Sequence, residues 1–411
     1  MANEPGRISG RYRSFSDGLG VLRISEVDIC AALVFDQAPP PMRILLALDK
    51  FKGSLTAKQA SDAVARGLVR AGVKAEIELC PIADGGEGFT EAVQTALGGE
   101  WVHVPVRDAH GREVIARYAL IQRNGQTEAV MEMSAASGLA MVNDLPLNPY
   151  VASTRGTGEM MLHAIENGAE RILIGIGGSA TNDGGSGMAQ VLGYQFLDDR
   201  EIAITDLPRE LERVNRIAKE HRVACEVVVA CDVTNPLLGH EGATQVYGPQ
   251  KGVKDVEFFE SRLTRLADMV HRDLGCNHRH EPGAGAAGGL GFGLMSFCGA
   301  RLQSGFDLVA EITGLPERIA KADIVITGEG KLDAQTLHGK GPMGVAGMAR
   351  VQGKRAVGVG GIIDWSDAIR SHFDHLIEAK PEGMPVKEAI ARAAELLENA
   401  VAEKWSALQP L

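Results

Sequence analysis

Residues 171–187 read RILIGIGGSATNDGGSG. An apolar run, Arg171 to Ile176, ends in a glycine-rich turn carrying a serine, a threonine and an aspartate. Helix-compatible residues resume at 186–193. Strand, tight turn and helix form the repeating unit of an α/β protein, so this stretch predicts that class. Its first half, Gly175-Ile-Gly-Gly-Ser-Ala180, satisfies G-x-G-x-x-A, a permitted form of the dinucleotide fingerprint. Asp198 and Asp199 stand about 20 residues further on, where a ribose-binding acid belongs. The second half, TNDGG (181–185), is no part of that fingerprint. The loop implies a phosphate-bearing ligand and leaves its kind open.

Outward from this stretch the same pattern recurs. RILLALD (43–49) is a short apolar strand. The capping-box residues Thr56-Ala-Lys-Gln59 then open a helix over 57–71. AEIELCPIA (75–83) reads as a strand and 89–97 as a helix. Residues 101–133 alternate between strand-like runs and the turns DAHG and RNGQ, which predicts antiparallel hairpins. Helix 156–167 leads into the opening stretch. YQFLD follows as a strand, and the charged residues 207–221 read as a helix before the strand CEVVVACD. Residues 255–274 form an amphipathic helical pattern. After about 300 regular β/α alternation returns. The two ends resemble each other more than they resemble the middle. The expected architecture is a Rossmann- or flavodoxin-like open-sheet domain built from 42–105 and 295–411, with a second α/β domain, 106–294, inserted between its parts. Residues 1–41 end in Ala38-Pro-Pro-Pro41 and lack a signal-peptide core. They are read as a flexible N-terminal extension.

Composition narrows the function classes. The chain has 411 residues, enough to bury a large core. Its net charge is -11, without a long basic run, which argues against nucleic acid and membrane surfaces as partners. An anionic substrate would need basic groups gathered locally against that field. The six cysteines are scattered, without C-x-x-C or zinc-site spacing. No apolar run approaches the roughly 20 residues of a membrane span. A reduced, cytoplasmic protein is the expectation.

In open sheets, ligands gather where strands end at their carboxyl side, so the turns there carry the chemistry. Asp49, Lys50 and Lys52 follow the first strand. Asp49 suits a metal or a substrate hydroxyl, and Lys52 an anion. Asp84 and Glu87, in ADGGEG, offer hard oxygens suited to Mg²⁺. Thr154 and Arg155 start a helix, where Thr154 can cap and Arg155 can bind a carboxylate in bidentate fashion. Asp232, Asn235 and Lys251 sit in turns that could be purely structural. The glycine run 282–291 allows either close approach to a phosphate or tight helix packing. Glu329, Lys331, Asp333 and Lys340 place both signs of charge at one sheet edge. No P-loop, protein-kinase signature or nucleophile elbow is present.

Nine stretches, in order, are DKFKGSLTA, PIADGGEGF, EMSAASGL, STRGTGE, IGIGGSATNDGG, ACDVTNPLLG, GPQKG, PGAGAAGGLG and ITGEGKLDAQTLHGKGP. Together they resemble the bacterial type-1 glycerate kinase family from Met42 to about residue 380. The resemblance implies two α/β domains around a cleft and transfer of phosphate from ATP, with Mg²⁺, to D-glycerate, usually at the 2-hydroxyl. By that resemblance Asp183 or Asp333 would orient or deprotonate the glycerate hydroxyl, with Asp49 and Asp84 as the other acids for metal or substrate. Thr154, Gly177, Gly178, Ser179, Thr181 and Asn182 would contribute to substrate and phosphate binding, with the backbone N–H groups of 177–181 in the cradle. Lys52, Arg155, Lys331 and Lys340 would face the carboxylate or the phosphoryl group. Asp84, Glu87 and Glu329 are the metal candidates. A homodimer is the expected assembly. Two departures stand out: Lys50 replaces the serine of DSFK, and the stretch after GYQFLDD is shorter and lacks a glycine-rich segment. The competing reading is an NAD-dependent oxidoreductase that uses GIGGSA with Asp198 or Asp199.

Overall fold

The computed structural model describes residues 41–219, 225–338 and 341–406. The predicted extension, apart from Pro41, lies outside them. Among the described residues, thirteen strands form three sheets. In chain order they are β1 (Met42–Leu48), β2 (Ala75–Leu79), β3 (Glu100–Arg107), β4 (Glu113–Arg123), β5 (Gln126–Glu132), β6 (Arg171–Gly175), β7 (Tyr194–Leu197), β8 (Arg216–Lys219), β9 (Glu226–Ala230), β10 (Arg301–Gln303), β11 (Ile324–Leu332), β12 (Arg355–Ile363) and β13 (His375–Glu378).

The first sheet has the order β13-β12-β11-β1-β2 and is parallel throughout. β1 is buried from Ile44 to Leu48, because helices cover both faces of a parallel sheet. Ile44, Leu46 and Leu48 pack toward the helices Ala57–Arg70 and Ala393–Trp405. Leu45 and Ala47 face the opposite side, where Phe306, Ile319 and Val345 pack. The predicted capping box is present. Thr56 Oγ1 accepts from the Gln59 amide at 3.2 Å, and Gln59 Oε1 accepts from the Thr56 amide at 3.0 Å.

The second sheet has the order β10-β9-β6-β5-β4-β3. Four strands are parallel, and β5-β4-β3 continues as the predicted antiparallel meander. The helix Gly305–Thr313 contributes Phe306 and Ala310 to the first sheet's core and Leu308, Val309 and Ile312 to a cluster on the second sheet. The α/β class with open parallel sheets is therefore the observed architecture.

One expected element differs. The helix predicted over 207–221 is a single turn, Leu207–Glu210, then a 3-10 turn, then β8. β8 pairs antiparallel with β7 in a separate two-stranded sheet, burying Ile217 opposite Phe196. Long-range pairing outweighed the helical tendency of the charged residues.

Candidate active site

A cavity of about 940 Å³ opens at the carboxyl ends of β1, β11 and β12, with Cys231 and Asp232 at the end of β9 on its other wall. Volumes of this size hold small-molecule ligands. Asp49, Lys50, Lys52, Asp84, Glu329, Lys331 and Asp333 all line it. Lys50, Lys52, Lys331 and Lys380 set cations among the lining carboxylates Asp49, Asp84, Asp232, Glu329 and Asp333. The lining also carries apolar side chains, Phe51, Ile362, Val386, Ile390 and Leu396.

Asp49 is 8 % exposed and follows β1 directly. The Lys50 amide donates to Asp49 Oδ1 at 2.6 Å. Burial, reinforced by the Asp84 and Glu329 carboxylates and only partly offset by Lys50, pushes its pKa from 3.8 up to about 7. Asp84 lies in the ADGGEG turn and accepts from Lys50 Nζ at 2.9 Å and from the Gly86 amide at 3.0 Å. Lys50 is thus the ion-pair partner of one acid and the backbone donor to another. Burial holds Glu329 above the ordinary carboxylate range. Lys331 Nζ stands 2.7 Å from Asp333 Oδ2.

The ADGGEG turn touches both sheets through backbone. A β-carbon on Gly177 would lie 2.7 Å from Gly86 Cα, and one on Gly305 would lie 2.3 Å from the Asp84 carbonyl. Only glycine allows so close an approach. The 177–182 loop is thereby set beside the acidic end of the cavity without lining it.

Within that loop, Asp183 is 3 % exposed and does not line the cavity. It accepts from the Thr154 amide and hydroxyl at 2.8 and 2.9 Å, and from the amides of Gly185 and Gly187 at 3.2 and 3.3 Å. Thr154 Oγ1 in turn accepts from the Met188 amide at 3.0 Å. These bonds tie the TNDGG turn to the start of the helix Arg155–Glu166. Ser179, Thr181 and Asn182 are all buried, and Gly178 is exposed. Arg155 is exposed and pairs with Glu159 at 2.8 Å. Glu87 is exposed outside the cavity lining. Lys340 lies outside the described residues. Sequence reasoning missed Ser304, Phe306 and Lys380, which line the cavity but sit in no motif-like turn. Among the described residues no cluster of three or more His, Cys, Asp or Glu side chains is arranged to hold a metal ion. No described helix is long and apolar enough to cross a membrane.

Topology does not favour the dinucleotide reading. The strand that directly follows the loop and its helix, β7, joins β8, and the strand that lies parallel beside β6 is the distant β9. Asp198 is occupied, accepting from the amides of Arg200 and Ile202 at 2.9 Å each.

Comparison with known proteins agrees. The family pattern described as "Glycerate kinase family" matches residues 44–409. The chain is 41% identical over 368 residues to a glycerate kinase of Bacillus subtilis, covering 87% of this chain and 95% of that one. It is 41% identical over 344 residues to the glycerate 2-kinase of Escherichia coli, covering 82% and 89%. A crystal structure of a protein assigned as glycerate kinase 2, from Salmonella typhimurium LT2, superposes with a TM-score of 0.80 at 38% identity, covering 90% of this chain and 99% of that one. The chain belongs to the glycerate kinase family and is a phosphotransferase.

Proposed function

We propose that the enzyme transfers the terminal phosphoryl group of ATP to the 2-hydroxyl of D-glycerate with Mg²⁺, giving 2-phosphoglycerate. The single observation that carries this reading is the mixed lining of the cavity. Its apolar side chains suit a purine, and its acids and lysines suit a polyphosphate and a hydroxy acid. The E. coli relative's name supports the 2-position.

Phosphoryl transfer needs positioning and charge neutralisation more than covalent chemistry. In this reading Asp49 accepts the proton of the attacking hydroxyl, since its pKa of about 7 matches a base working near neutrality. One or two of the lining carboxylates Asp84, Glu329 and Asp333 would hold magnesium, which takes one or two carboxylates and leaves its other positions to water and phosphate oxygens. When bound, the ion neutralises phosphate charge. Lys52 and Lys331 face the anionic substrates from the same wall. Gly178 and Ser179 receive an oxyanion from the neighbouring loop. Asp183 serves as the scaffold of that loop, because four donors already occupy its carboxylate. We also place the enzyme in the cytoplasm, acting on free small molecules.

The test is ³¹P NMR of the purified protein with D-glycerate and Mg-ATP. A new monoester signal matching 2-phosphoglycerate is expected. A signal matching the 3-isomer would overturn the assigned position, and intact ATP after many hours would overturn the substrate.

A further inference from the structure

The mechanism above leaves a buried lysine unused. Lys251, in the GPQKG turn, is 2 % exposed and lies below the 177–182 loop. Its ammonium group donates to Ser179 Oγ at 2.6 Å and to the Thr181 carbonyl at 2.7 Å. Among the described residues it has no carboxylate partner within salt-bridge distance. An ammonium group removed from water and given only neutral acceptors is costly to hold. Burial pulls its pKa from 10.5 down to about 7, and only the more distant field of Asp183 opposes this.

The loop above it has spare donors. Gly178 O accepts from the Leu139 amide and the Ala180 amide donates to Ser137 O, which fixes the backbone on both sides of Ser179. Among the described residues the Gly178 amide has no backbone acceptor, whereas the Ser179 amide closes the turn over 177–178. Gly178 holds φ +75°, which turns the backbone sharply, and consecutive amides at such a turn form anion-binding concavities. Because Lys251 donates to Ser179 Oγ, the hydroxyl hydrogen of Ser179 is left to donate elsewhere. A cation beneath, with a hydroxyl and the Gly178 amide above, together make a receptor for an oxyanion.

We propose that Lys251 is a positioning residue for an oxyanion site at Gly178–Ser179, acting by holding the Ser179 hydroxyl as a donor toward a carboxylate or phosphoryl oxygen of the substrates. The inference rests on the kinase reading and adds to it the group that orients and charges the loop. It also gives the GPQKG motif a function that lining the cavity does not supply.

The experiment is a double-mutant cycle with Lys251→Met and Ser179→Ala, read by steady-state kinetics and by calorimetric titration with D-glycerate alone. If the oxyanion is the glycerate carboxylate, each single variant raises the glycerate KM and weakens the calorimetric affinity by about tenfold or more, with kcat little changed. If it is the transferring phosphoryl group, kcat falls by about 10²-fold while both KM values hold. Either way the double variant should be no worse than Lys251→Met alone, and Ser179→Thr should restore most of the loss. Effects that multiply independently would overturn the proposal. So would wild-type kinetics in Ser179→Ala, a result that stands even if Lys251→Met fails to fold. A wild-type protein that binds D-glycerate but transfers no phosphate would instead refute the kinase reading and leave the loop's oxyanion site testable by calorimetry.

Discussion

Replacing Asp49 by Asn should lower kcat by about 10² to 10⁴-fold, the range general base catalysis supplies, while leaving the fold intact. The same change should raise thermal stability at pH 8. The sign follows from linkage. The Asp49 pKa is raised in the folded chain, from 3.8 to about 7. Between those values the folded chain keeps a proton that the unfolded chain has released, so this group's contribution to stability falls as pH rises. Above the folded pKa the cost is complete, on the order of a few kcal/mol. Asparagine cannot ionise and escapes it. The variant should therefore melt above the wild type at pH 8, and the gap should close toward pH 4. In the wild type, kcat/KM should climb with pH through a limb near 7. An active Asp49→Asn enzyme would reject the base assignment, and equal melting at pH 8 would reject the burial cost.

Gly288→Ala should be the most destabilising of the conservative changes. Gly288 has φ +68°, where an L side chain costs about 1–2 kcal/mol. Its added β-carbon would fall 1.9 Å from the Thr181 carbonyl oxygen, a collision with backbone that cannot rotate away. Overpacking of this kind adds about 1–3 kcal/mol. The Gly184 amide also bonds to Gly288 O at 3.1 Å, so any shift drags the TNDGG turn with it. Loss of about 2–5 kcal/mol, seen as a large drop in melting temperature, is expected. Gly347, in the helix Gly341–Val351, has nothing within 4 Å of its missing β-carbon. Gly347→Ala is the control and should be neutral or stabilising by up to about 1 kcal/mol. Equal melting of the two variants would refute the packing argument.

The glycine run 282–291 shows what a sequence leaves undecided. Its composition allowed phosphate contact or tight packing, and the structure uses it to press Gly288 and Gly289 against 181–184. Asp183 is a similar case. An acid between asparagine and glycine looks chemical, but the spacing does not say whether its oxygens face a ligand or the protein's own amides. The acids at the ends of β1, β2 and β11 were legible because the open-sheet rule fixes where such turns converge. The buried position of Lys251 was not, since it depends on packing from segments about 70 residues away. β8 escaped notice because its partner β7, not its own four residues, makes it a strand.

The meeting of the two sheets at the ADGGEG turn is backbone against backbone, through Gly85, Gly86, Gly175, Gly177 and Gly305. Such a seam has no rotamers to readjust and no volume to trade, so a loss at one position has no compensating gain at the next. Evolutionary drift that reshapes ordinary cores by paired changes is closed to it. In a catalogue of tolerated substitutions these glycines would score like reacting groups, although they are only the mortar between two walls.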